Sequence, residues 1–318
     1  MQHFLNTLNI ILPVFAVITL GVILRRIGLI DQTFLQQINR LLYYVFLPLL
    51  LFYKISTADF ATSFSPRLTL AMIATLSLGA LLSYAAAYLL GYPPEDRCTF
   101  SQGGFRGNLA YVGLPIIMSA YGDAGFTRAG LLMGCLVPII NVWSILVHIM
   151  AQRHQHPERH WRLIRHQLLC NPLILGAAAG IFWNLAKWPV AGVAERSLHM
   201  VTAATLPLAL LTIGGVFSPR QLQGDLKQAG LATLFKLVLF PMLNLLILLP
   251  MHLSTMDLGI AVLLAATPTA AASYVMAQEL GGNPRLASSI IILSTLFSAV
   301  SVTLLLLLLS FLQGMPAS

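Results

Sequence analysis

The chain has 318 residues, 58% of them hydrophobic and only 9% charged, with a formal net charge of +8. An ordinary soluble domain carries about 25% charged residues, so this composition excludes most soluble enzymes, disordered chains and nucleic-acid binders and implies a lipid-facing surface. The basic residues stand in short clusters between apolar runs, the pattern of topology signals, and Cys98, Cys135 and Cys170 are too few and too scattered for a disulfide framework or a zinc site.

A hydrocarbon core of about 30 Å needs roughly 20 apolar residues per helix. That ruler predicts ten spans: 8–24, 41–55, 68–90, 99–121, 129–151, 170–187, 197–217, 229–251, 258–280 and 286–312. The opening run, MQHFLNTLNIILPVFAVITLGVILRR, has no basic n-region and reads as a retained first helix. The fourth span contains GGFRGNLAYVGLP, Gly103 to Pro115, whose glycines, Asn108 and Pro115 would badly weaken a helix. Unwound backbone is tolerated in a membrane only where protein or a water-filled cavity receives its polar groups.

The fifth span carries Asn141, Ser144 and His148 on one face, more suited to holding helices together than to lining a cavity. Then comes AQRHQHPERHWRLIRHQ, the one sustained polar stretch. It reads as a solvated basic linker, since its histidines fit no zinc spacing. The eighth span holds Lys236 in LATLFKLVLFP; an intramembrane lysine is either functional or snorkels to the edge. The ninth contains ATPTAAASY, Ala266 to Tyr274, where Pro268 is the breaker. The tenth has a serine stripe, Ser294, Ser298 and Ser301.

Counting Arg106, ahead of the break in the fourth span, with the loop before it, Arg25, Arg26, Arg40, Arg97, Arg106, Arg153, Arg159, Arg162, Arg165, Arg220, Lys227 and Arg285 go with odd-numbered spans, against Lys54, Arg67, Arg128, Lys187 and Arg196 with even-numbered ones. The positive-inside rule then places both termini outside and the linker in the cytoplasm. Features also recur along the chain: Pro13 with Pro172, Gly21 with Gly180, Pro48 with Pro207, then Asn108 with Pro268 and Gly122 with Gly282. The first three pairs share a displacement of 159 residues, and the later two differ from it by a single residue. Five spans per copy would set the second copy upside down in the membrane. The organisation expected is a first five-helix repeat at 1–152, a cytoplasmic linker at 153–169 and a second repeat at 170–318. Inverted repeats with broken helices at matching places are the layout of secondary transporters, and the breaks mark the binding site.

The candidate ligand contacts are therefore Arg106, Gly107, Asn108 and Pro115 at the first break, Pro268 and Thr269 at the second, and Lys236 and Asn141 nearby. Half-helix N-termini offer unpaired amides and a positive dipole end, Asn108 adds donors and an acceptor, and Arg106 and Lys236 add charge. All ten acids lie near span ends or in loops. The site thus favours a small organic anion and offers no carboxylate pair for a proton or sodium. No cofactor, metal or nucleic acid is called for, the partners being the anion and the bilayer, with a homodimer left open.

The string Asn108 to Pro115 with Tyr121 and Gly122, the run from Pro268 through Glu279 to Pro284, FLPLLLF around Pro48 and the lysine before Pro241 together resemble the auxin efflux carrier family, in order and over the whole chain. The resemblance implies an all-α membrane carrier of ten helices in two inverted repeats, with crossed broken helices 4 and 9 as in the bile-acid symporters. That family includes plant carriers of indole-3-acetate and bacterial carriers linked to malonate and other small carboxylates. In the plant members the asparagine matching Asn108 contacts the substrate, and the second crossover contributes a polar or backbone contact where Pro268 stands. With no long central loop, this chain looks like a compact bacterial member of the cytoplasmic membrane. The competing readings are a sodium- or proton-coupled symporter of the bile-acid type, whose acidic sodium ligands are not evident, and a non-transporting sensor or scaffold. An intramembrane enzyme would need a metal triad, a serine-lysine or aspartate pair, or a nucleotide loop, and none is present.

Overall fold

The computed structural model describes residues 2–59, 63–151, 165, 169–216, 222 and 225–313. Most of the linker expected at 153–169, with all four of its histidines, lies outside them. The described chain is helical throughout, with one isolated β-bridge. In chain order the helices are α1 (Gln2–Arg26), α2 (Gln32–Ser56), α3 (Pro66–Leu89), α4 (Pro94–Phe105), α5 (Leu109–Ala151), α6 (Pro172–Leu185), α7 (Gly192–Val216), α8 (Leu226–Met251), α9 (Thr255–Ala265), α10 (Ala272–Glu279) and α11 (Pro284–Gln313). Among the described residues, seven stretches are long and apolar enough to cross a membrane: Thr7–Arg26 of α1, then α2, α3, α5, α7, α8, and α11 to Leu312. α6 and α9 are shorter apolar helices.

At 43 residues, α5 is about twice as long as one crossing requires. It turns at Gly122, where φ is 60° and ψ −154°, a conformation only glycine adopts without strain. The predicted fourth and ninth spans are each split in two. The fourth becomes α4 and the first leg of α5, and the ninth becomes α9 and α10.

Three of the long helices widen into a single π turn, at Leu42–Phe46, Leu109–Gly113 and Phe235–Leu239. Each is followed two residues later by a proline: Pro48, Pro115 and Pro241. A helical proline has no N–H for the carbonyl four residues back, and its ring crowds that carbonyl. Widening the preceding turn relieves the clash and hands the carbonyls to later amides. Pro115 thus acts through backbone geometry: Val112 N and Gly113 N both donate to Asn108 O at 3.2 Å.

Close helix pairs are set by glycines. A Cβ at Gly21 of α1 would strike the Leu211 carbonyl of α7, and one at Gly180 of α6 would come within 3.0 Å of the Phe52 carbonyl of α2. These two contacts exchange under the same 159-residue displacement that relates Pro13 to Pro172. α1 packs on α7 and α2 on α6, as a pair of matching interfaces. α4 lies against α3, the second leg of α5, α8 and α11, and from Cys98 to Phe105 every residue is buried.

Candidate functional site at the helix crossing

The backbone leaves the helix after Phe105, with Arg106 extended (φ −79°, ψ 94°) and Asn108 at φ −82°, ψ 67°. The second break runs from Ala266 to Ala271, between α9 and α10. The two breaks meet. Gly107 and Thr269 form an antiparallel bridge, in which Asn108 N donates to Pro268 O at 2.7 Å and Ala270 N to Arg106 O at 3.0 Å. Two interrupted helices thus satisfy each other's freed backbone groups where both are buried in protein.

Side chains lock the crossing. Thr269 Oγ1 donates to Gly103 O at 2.7 Å, Thr269 N donates to Ser294 Oγ at 3.0 Å, and Thr267 Oγ1 donates to Leu264 O at 2.8 Å. Both threonines are buried. Gly107 is required by proximity, because a Cβ there would run into Thr267 Oγ1 and lie 3.3 Å from Lys236 Nζ.

Among the described residues, neither of the two cations at the crossing has a carboxylate partner; the described ion pairs, Lys54–Asp123 and Arg128–Asp257, lie elsewhere. Arg106, 8% exposed, turns its guanidinium onto α5, donating to Ser144 Oγ at 2.6 Å and Asn141 Oδ1 at 3.0 Å. Lys236 is 0% exposed and donates from Nζ to Ala265 O at 2.5 Å, with the Phe240 ring 4.8 Å away. It does not snorkel. Several donors are left over. Arg106 Nε and Asn141 Nδ2 are buried without a hydrogen-bond acceptor. Asn108 Oδ1 accepts from Tyr111 N at 3.3 Å, capping the π turn that opens α5, and the side chain is half-buried. Of the first-turn amides of the half-helices, Tyr111 N, Ser273 N and Tyr274 N already donate within the chain, which leaves those of Leu109, Ala110 and Ala272 as backbone donors for the oxygens of an anion.

Of the residues singled out in the sequence, Arg106, Gly107, Asn108, Pro268, Thr269 and Lys236 come together here. Asn141 stands one step out, behind Arg106. Pro115 lies seven residues past Asn108 and shapes the π turn between them. The stripes on the fifth and tenth spans act as interhelical glue at Asn141, Ser144 and Ser294. Gln102 is an addition: it is 1% exposed and donates from Nε2 to Ser144 O at 3.2 Å. Its signal was an uncharged polar residue one turn before the break, opposite the polar stripe of α5.

A family model described as "Membrane transport protein" matches residues 7–306. The chain is 24% identical to an uncharacterized transporter of Methanothermobacter thermautotrophicus, covering 95% of this chain and 98% of that protein. It is 26% identical to a Rhizobium meliloti protein whose name proposes it as a malonate transporter, covering 94% and 95%. An uncharacterized transporter of Methanocaldococcus jannaschii is 20% identical over 93% of this chain and 97% of that protein.

Proposed function

The chain belongs to the membrane transport protein family, which contains the auxin efflux carriers, and from that premise we propose that it is a secondary carrier moving small carboxylates across the cytoplasmic membrane by alternating access. The observation that carries this reading is the bridge between Gly107 and Thr269. It joins two broken helices beside two buried cations that lack acidic partners. A buried, positively charged crossing with unpaired donors suits a carboxylate and repels a cation. The name of the Rhizobium relative makes malonate the first substrate to try.

In this reading the ten predicted spans form two inverted repeats, 1–152 and 170–318. The exchange of Gly21–Leu211 with Gly180–Phe52 supports it. So do the loop contacts. Lys54–Asp123 and Arg128–Asp257 link loops that follow even-numbered spans, whereas Asn283, after the ninth span, donates from Nδ2 to Asp96 after the third at 2.7 Å. α1, α2, α6 and α7 form the scaffold, and the elements around the crossing form the moving part. Asn108 Nδ2 and the amides opening α5 and α10 contact the carboxylate, while Arg106, held by Asn141, supplies attraction.

The test is uptake of labelled malonate, other dicarboxylates and indole acids into proteoliposomes. Asn108→Asp keeps the capping oxygen, removes the donor and adds a like charge, so uptake is expected to fall at least tenfold while the melting temperature holds. Unchanged uptake removes Asn108 from the mechanism; no uptake of any organic anion by the wild type removes the proposal.

A further inference from the structure

Lys236 occupies a specific electrostatic position. Ala265 is the last residue of α9, so the carbonyl that accepts from Nζ at 2.5 Å belongs to the C-terminal end of a half-helix. That end carries the negative pole of the helix and carbonyls without intrahelical donors. In carriers built around broken helices, unwound carbonyls and half-helix C-termini are where a coupling cation is coordinated. Here the ammonium of α8 already sits there, above the Phe240 ring at 4.8 Å and beside the α-carbon of Gly107, with no carboxylate partner.

We propose that Lys236 is a tethered cation that holds the cation position of the crossing. The protein accordingly needs no bound sodium or potassium, and removing the ammonium creates a site for a small monovalent cation. A buried ammonium is costly to desolvate unless its surroundings are negative. The π turn at Phe235–Leu239 places Lys236 so that a four-carbon stem reaches the α9 terminus. A lysine that merely joined α8 to α9 would leave behind a packing defect; a lysine that acts as the cation leaves behind a charge vacancy that a free ion can fill.

The full chain, purified in detergent, is melted in N-methyl-D-glucamine chloride and then with sodium, potassium or methylammonium replacing it at constant ionic strength. Wild type is expected to melt at one temperature in all four. Lys236→Ala is expected to melt lower and to recover by a few degrees, saturably, in methylammonium or sodium, as a ligand of the folded state requires. Lys236→Met, which refills the space without charge, is expected not to respond. Transport by Lys236→Ala should return only with the same cations, and Lys236→Arg should retain it. A wild-type melting temperature or uptake that rises with sodium overturns the proposal, and so does a folded Lys236→Ala indifferent to every cation. The wild-type arm decides if Lys236→Ala does not fold. The transport arm rests on the carrier reading, whereas the melting arm does not: wild type that moves no carboxylate would sink that reading alone.

Discussion

Arg106 is a permanent charge inside a membrane protein, and its environment shows what such a charge requires. Its guanidinium spends two donors on Ser144 Oγ and Asn141 Oδ1, and Nε remains without an acceptor. Neutral hydrogen bonds soften the desolvation cost without cancelling the charge. The arrangement is therefore incomplete in one direction, toward an anion. Asn141 tests this from both sides. Asn141→Leu removes an acceptor from a buried guanidinium and is expected to destabilise the protein by about 1–3 kcal/mol, read as a lower melting temperature. Asn141→Asp supplies a carboxylate instead. It is expected to leave the fold at least as stable while cutting malonate uptake more than tenfold, since the side chain then neutralises the charge that attracts substrate. Equal loss of stability in both variants would mean that Arg106 is not short of negative charge.

At the scale of elements, the crossing is a two-residue ladder between helices that each stop for a local reason. The stops were legible: Gly103, Gly104, Gly107 and Asn108 weaken one helix, and Pro268 interrupts the other. Their meeting was inferred from the matched positions and is realised in the bond from Asn108 N to Pro268 O. The start of the fourth span was not legible. The hydropathy ruler set it at Thr99, but α4 begins at Pro94, with PEDR in its first turns. Hydropathy reads contact with lipid, and α4 is wrapped by protein from Cys98 onward, so its polar residues there meet protein groups in place of lipid. Gln102 was missed for that reason, and the partner chosen by Arg106 is a tertiary matter that no spacing in its own segment reveals. The ladder depends on close approach at Gly107. Gly107→Ala drives a methyl into Thr267 Oγ1 and is expected to lower the melting temperature. Adding Thr267→Ala should restore part of the loss, a coupling of about 0.5–3 kcal/mol between neighbours. Strict additivity in the double-mutant cycle would show that the two breaks are not pressed together there.

The whole molecule has a sidedness that local packing does not dictate, because the same helices would pack identically either way up. What distinguishes the two faces is charge. The arginine-rich loops follow odd-numbered spans, and insertion retains Lys and Arg on the cytoplasmic side. The contacts agree on which loops share a face, since Lys54, Asp123, Arg128 and Asp257 gather at one end and Asp96 and Asn283 meet at the other. They leave open which end is which, so the orientation rests on the positive-inside rule and can be tested without altering the sequence. Cys170 is exposed at the start of α6, next to the basic linker, while Cys98 is buried and Cys135 half-buried within helices. With the linker in the cytoplasm, a membrane-impermeant maleimide is expected to label Cys170 in inverted vesicles and not in intact spheroplasts. Labelling in spheroplasts alone would turn the molecule over and place the termini inside. That result would leave the crossing and its chemistry intact, because the bonds that build it run within the chain and do not depend on which end faces the cytoplasm.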